Sequence, residues 1–238
     1  MTGTIINVIT VVIGGTLGTF LGARLPDKMR ETVMHGLGLL TFVIGLQMAL
    51  STHNILIVMA SILLGGIIGE GLRIQDGLDA IGKNLEQRFA RGGQAGKFTR
   101  GFVTASLIFC IGPLSILGAI QDGLLGDFNL LAIKSTLDGF AGLAFASTLG
   151  IGVAFAALTV FVYQGAISVG SMLLGSALGS VTRDTPWVIE MSATGGVLIM
   201  GISLLLLDLK QVRIANLLPA VLIAPLIVIA LAAFGIKI

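Results

Sequence analysis

The sequence predicts an all-α, polytopic transmembrane helix bundle of about eight spans, and three observations carry that prediction. Only 11% of the 238 residues are charged and 55% are hydrophobic, where an average soluble domain carries roughly 25% charged residues. Several apolar runs reach the ~20 residues needed to cross a bilayer. Basic residues gather between alternate runs, as the positive-inside rule requires of an oriented membrane protein.

The first span is expected near residues 4–24. No basic region precedes it and no small-residue cleavage box follows, so it reads as a retained helix rather than a signal peptide. Gly14, Gly18 and Gly22 give it a GxxxGxxxG face, of the kind that lets helix backbones approach closely in lipid. Spans two and three fall near 33–50 and 54–72, and Gly65 and Gly69 repeat the small-residue spacing. Within the loop 73–98, Ile74, Leu78, Ile81, Leu85 and Phe89 recur at helical spacing with charges of both signs between them. That pattern describes an amphipathic helix on the cytoplasmic membrane surface, and "ARGGQAGKFTR" supplies a basic return into the bundle.

Span four, near 99–121, is interrupted by Gly112-Pro113, since proline cannot donate to the helix ladder. Ser115 is close enough in sequence to partner a freed carbonyl. Span five lies near 129–149 and span six near 152–180, with Gly175 and Gly179 on one face. Spans seven and eight fall near 188–207 and 215–235. The small-residue faces suit packing within one chain or across a homodimer.

Orientation follows from the loops. Eleven of the fourteen basic residues lie after spans one, three and seven, which places both termini outside, across the membrane from the cytoplasm. The chain therefore reads as one transmembrane domain in four parts. These are a first three-span unit (1–72), the interfacial helix and loop (73–98), a central broken pair (99–150) and a last three-span unit (151–238). "GTFLGARL" echoes "GSALGSVT", "GLLTFVIGLQMAL" echoes "TGGVLIMGISLLL", and "NILIVMASILL" echoes "NLLPAVLIAPL". Spans 1–3 would then match spans 6–8 in opposite senses, the inverted repeat of many transporter folds.

The polar residues concentrate between these triplets. Lys134 and Asp138 stand four apart in the apolar stretch "LLAIKSTLDGFAGLAFAS", a spacing that places them on one helix face. Each alone costs about 2.5–3.5 kcal/mol at mid-membrane. Pairing offsets part of this, and Asp122 facing them across the helix interface is expected to offset more. Ser115, Gln121 and Gln164 are the expected polar liners, and Gly139 and Gly142 are expected to weaken span five. Spans four and five would then be discontinuous helices converging on a solute or ion pathway. The competing reading is a neutral pair near the outer interface, with the lysine reaching water.

Other chemistry is poorly represented. Cys110 is single, and His35 and His53 stand apart, so neither a disulfide framework nor a clustered metal site is expected. No HExxH or nucleophile–base motif occurs, so neither an enzyme nor a bound cofactor is expected. The net charge of +2 reflects orientation rather than nucleic-acid binding. The expected partners are the lipid bilayer and a small solute or ion. The favoured function is transport; the alternative is a membrane-embedded scaffold or regulatory partner.

Four stretches resemble a known family: "CIGPLSILGAIQDGLLGD", "LAIKSTLDGFAGLAFASTLGIGV", "YQGAIS" and "SATGGVLIMGISLLLLDLKQVRIANLLPA". Together with the opening "GTIINVITVVIGGTLGTFLG", they are similar to the YqgA/YdfK family of bacterial integral membrane proteins, a domain-of-unknown-function group. The resemblance covers nearly the whole chain. It implies a bacterial inner-membrane protein, in a group frequently described as transporters. It implies no substrate and carries no binding residue across.

Overall fold

The computed structural model describes residues 1–89, 96–174, 182 and 184–235. Among them are ten α-helices and no strand: α1 (Thr2–Gly22), α2 (Asp27–Ala49), α3 (Ile55–Leu72), α4 (Ile74–Phe89), α5 (Lys97–Cys110), α6 (Pro113–Leu124), α7 (Asn129–Leu149), α8 (Gly152–Leu174), α9 (Pro186–Leu206) and α10 (Leu218–Ala233). Seven described helical segments are long and apolar enough to cross a membrane. The count becomes eight when α5 and α6, bent by 63° at their break, form one span. The polytopic all-α bundle expected from composition is the fold observed.

Element boundaries follow local chemistry. Asn54 caps α3 by accepting from Leu56 N at 3.1 Å, which satisfies one of the orphan N–H groups of a helix start. Pro186 opens α9, where its missing N–H costs nothing. Gly112 separates α5 from α6 with φ +152°, a backbone conformation that favours glycine. Helix α2 begins at Asp27, ahead of the expected 33, because its polar first turns extend the helix beyond the apolar run. Span eight starts with a 3-10 turn at Ile214–Leu217 before α10 proper. The expected GxxxG at Gly175 and Gly179 lies outside the described residues.

Contacts group the described chain into two compact units. One contains residues 1–37, 79–110 and 114–180; the other contains 38–78, 111–113 and 181–238. This grouping cuts across the linear division into four parts because α1 leaves α2 and α3 to pack on α7 and α8.

In the first unit the face of α1 explains that choice. Gly3, Asn7, Val11, Gly14, Gly15, Gly18 and Gly22 are buried, whereas Ile5, Ile9, Ile13, Leu17 and Phe20 are exposed. The helix therefore turns small and polar groups inward and large apolar groups outward, as suits lipid rather than water. A Cβ on Gly14, Gly18 or Gly22 would collide with the carbonyl oxygen of Gly139, Leu143 or Ser147 respectively. The register advances by four on both helices, so α1 and α7 run parallel with their backbones in contact. Helix α7 is continuous from Asn129 to Leu149. Gly139 and Gly142, expected to weaken it, instead lie beside Thr10 and Gly15 of α1. They are packing positions, and span five is not a broken helix.

Helix α8 holds both halves of the bent span. Ser106 of α5 donates to Thr159 at 2.9 Å, and Ser168 donates to the Ala119 carbonyl of α6 at 3.0 Å. The amphipathic helix expected from residue 74 is present as α4. Its later turns dock on the same unit, where Thr99 donates to Glu86 at 2.6 Å and Phe89 lies 5.0 Å from Phe155.

In the second unit Gly45 of α2 meets Gly196 and Met200 of α9, while Gly65 and Gly69 of α3 meet Ala220 and Asn216. Glu190 is fully buried on α9. Its carboxylate accepts from the Thr52 hydroxyl at 2.6 Å, His53 N at 2.7 Å and Asn54 N at 3.1 Å, pinning the turn that enters α3. Beyond α3, Asn216 donates to Glu70 at 2.6 Å and accepts from Gln75 N at 2.7 Å.

The glycine seam yields a paired prediction. Gly18→Ala forces its methyl into the Leu143 carbonyl and lowers stability by about 1–3 kcal/mol, the usual cost of overpacking. Gly36→Ala meets nothing within 4 Å and leaves stability unchanged or raised by about 0.4–1 kcal/mol. Thermal unfolding of both variants in mild detergent measures the contrast.

Candidate functional site

A polar cluster forms where α1, α6, α7 and α8 meet inside the first unit. The i, i+4 spacing on α7 brings Lys134 and Asp138 into direct contact, and Lys134 Nζ donates to Asp138 Oδ2. Both residues are buried, at 6% and 8% exposure. The lysine therefore does not reach water, as the interfacial reading had it. A buried pair of this kind needs further hydrogen bonds to offset desolvation.

That support comes from Asn7 of α1, which in turn bonds to Gln164 of α8. Asn7 Nδ2 donates to Asp138 Oδ2 at 3.0 Å and to Gln164 Oε1 at 3.2 Å. Gln164 Nε2 donates to Ser115 Oγ at 2.9 Å. Asn7, Gln164 and Ser115 are all fully buried. A chain thus runs from Lys134 through Asp138, Asn7 and Gln164 to Ser115. Ser115 sits in the first turn of α6, so the break at Gly112-Pro113 delivers it to the cluster. It faces Gln164, where the sequence suggested it would satisfy a carbonyl freed by the break.

The expected charged centre is divided. Asp122, 3% exposed, does not join the Lys134–Asp138 pair. Its Oδ2 accepts from Gly3 N at 3.1 Å, and its Oδ1 lies 3.1 Å from the Met1 amino group. Gly3 is one turn from Asn7 on α1. Leu131 fills the space beside Gly3 and Gly118 and is fully buried. Asp122 therefore satisfies the start of α1 instead of compensating Lys134. Gln121 is only partly buried, and its side chain joins none of these bonds.

Asn7 was missed in the sequence, although its two hydrogen bonds join the ion pair to Gln164. The available signal was its isolation: a single amide in a first span that is otherwise apolar, small or hydroxyl-bearing. Glu190 was missed likewise, masked by the apolar run around it.

Beside the cluster, α1 and α7 leave an apolar groove of about 260 Å³ between Thr10, Gly14, Ser135, Thr136, Gly139 and Phe140. It opens outward. Among the described residues, no group of three or more His, Cys, Asp or Glu is arranged to hold a metal ion.

Asn7→Ala removes two donors from buried acceptors, each of which is costly to leave unpaired. The expected loss is about 1–3 kcal/mol, larger than for Ser115→Ala, which strips a single bond from Gln164. Unfolding midpoints in detergent distinguish them.

Comparison with known proteins agrees with this picture of a membrane helix bundle. The chain is 32% identical over 247 residues to the "Uncharacterized membrane protein YdfK" of Bacillus subtilis (strain 168), with 100% of both chains covered. It is 30% identical over 226 residues to the "Uncharacterized protein YqgA" of Escherichia coli (strain K12), covering 93% of this chain and 94% of the relative. No solved structure matches. The model of the family described as "Protein of unknown function (DUF554)" matches residues 2–229, and the chain belongs to that family of multi-pass membrane proteins.

Proposed function

We propose that this protein carries a small solute or ion across the bacterial inner membrane, as a transporter or channel, with both termini on the periplasmic side. The single observation that supports it is the Lys134–Asp138 pair, buried inside the bundle and tied through Asn7 and Gln164 to Ser115 at the bent span. Ionisable groups inside membrane segments are costly, and they mark ion or solute pathways by default. A hydrophobic residue in each position would pack as well, often with a gain in stability, so a role beyond packing accounts for the charges.

The surrounding architecture favours the same reading. Helices broken inside a membrane are tolerated where they are buried in protein or line a wet cavity. At the α5–α6 bend, Ser115 accepts from Gln164, which is linked to the charged pair through Asn7. Antiparallel packing of α1 on α8, α2 on α9 and α3 on α10 at small residues fits spans 1–3 and 6–8 as inverted counterparts. Helix α4, with Ile81 and Phe89 exposed beside Lys83 and Arg88, suits the cytoplasmic membrane surface.

The test is flux. Protein reconstituted in liposomes is screened against inorganic ions and small organic acids. Movement of one solute class is expected, falling to the leak rate in Asp138→Asn while that variant remains monodisperse in detergent. No flux for any class, with a stoichiometric membrane partner co-purifying, selects the scaffold reading instead.

A further inference from the structure

We infer that Arg30 and Lys97 form a binding site for the phosphate headgroup of an anionic phospholipid, at the end of the bundle where α1 turns into α2. The inference is independent of the transport reading. It needs only that α1 and α2 cross a membrane, which sets the turn between them at headgroup level.

The first unit gathers these two cations from separate helices around the end of α7. Gly22 closes α1 with its backbone against Ser147 of α7, and Arg30 Nε donates to the Gly22 carbonyl at 2.9 Å. At the same end of α7, the Leu149 carbonyl lies against Gly101, and Gly152 lies against the Phe98 carbonyl. The first turn of α5 is therefore packed onto the α7–α8 junction. Lys97 opens that turn and falls within electrostatic reach of Arg30 and Asp27.

Like charges drawn together repel unless an anion compensates them, and the protein's own carboxylates do this poorly. Asp27 reaches Arg30, but its side chain is fully exposed and its oxygen lies 3.6 Å from the guanidinium; a surface pair of this kind contributes little. Glu31 is exposed and pairs with neither cation among the described residues. Glu86 is occupied by Gly96 N and the Thr99 hydroxyl. Lys97 is half-buried, and its ammonium has no ion pair or hydrogen bond among the described residues. With Arg24 and Lys28, residues 24–31 and Lys97 hold four cations against two carboxylates, an excess that favours an anionic headgroup over a zwitterionic one.

A phosphate can accept from a guanidinium and an ammonium at once, and basic pockets between helix ends at a membrane surface suit such headgroups. Phe20, Leu21 and Met29 flank the turn in sequence and are exposed. They offer apolar contact to the acyl chains of a lipid, which free phosphate lacks.

The experiment titrates the full chain in neutral detergent with phosphatidylglycerol or phosphatidylcholine and follows the thermal unfolding midpoint. Phosphatidylglycerol is expected to raise the midpoint saturably above the phosphatidylcholine curve. Lys97→Gln weakens the apparent affinity about fivefold, and Arg30→Gln combined with Lys97→Gln about thirtyfold, at the usual contribution of a basic group near an anionic surface. Lys97 holds no other group in the fold, so its single variant carries the test even if losing the Arg30–Gly22 bond unfolds the double variant. Lys210→Gln removes an exposed charge from the second unit and leaves the affinity within about twofold. Equal shifts with the two lipids, or equal losses in Lys97→Gln and Lys210→Gln, overturn the inference. So does inorganic phosphate that reproduces the phosphatidylglycerol shift at the same concentration.

Discussion

A lysine and an aspartate kept inside an apolar helix bundle set the terms for the first unit. Either charge alone is expensive in a membrane, and together they still forfeit hydration that only well-placed hydrogen bonds restore. The bond to the pair comes from Asn7 on α1, which also donates to Gln164 on α8, residues distant in sequence from the pair and from each other. Meeting that demand requires α1 to lie against α7 at backbone distance, which a Cβ at Gly14, Gly18 or Gly22 would prevent. The glycine seam and the ion pair are two parts of one constraint. The seam brings the backbones together, and the closeness lets a short asparagine reach the carboxylate.

The bent span follows from the same demand. A straight fourth helix would have no turn beginning beside Gln164. The break at Gly112-Pro113 starts α6 there, with Ser115 in its first turn. The cluster therefore closes against a hydroxyl instead of an apolar wall. Glu190 offers a contrast in the second unit. Three donors from the α2–α3 turn surround its carboxylate, and it serves as a fixed anchor. Both bonds to the Asp138 carboxylate land on one oxygen, from Lys134 and Asn7, whereas the donors to Glu190 engage both of its oxygens.

Much of this was legible in the sequence because membrane helices are written in composition and length. Low charge and runs near bilayer thickness gave the bundle, Gly112-Pro113 gave the break, and the i, i+4 spacing gave the Lys134–Asp138 contact. The helical period of Ile74, Leu78, Ile81, Leu85 and Phe89 gave α4. What failed depended on which helices become neighbours, because hydropathy carries no pairing information. Asp122 was expected to face Lys134 across the helix interface, yet the start of α1 engages it instead. Gly139 and Gly142 were read as weak points when their role is to admit α1. Asn7 was overlooked because a single amide stands out only once its helix is known to face the charges.

The most direct measurement compares stability and flux in the double variant Lys134→Met with Asp138→Leu. Removing one charge strands the other, at a cost of about 3–5 kcal/mol, whereas replacing both with packed apolar groups is neutral or stabilising. If the pair is kept for what passes beside it, the double variant unfolds at or above the wild-type midpoint and moves no solute. A double variant that is as stable as wild type and still conducts would show that the charges are dispensable to transport and serve only the fold.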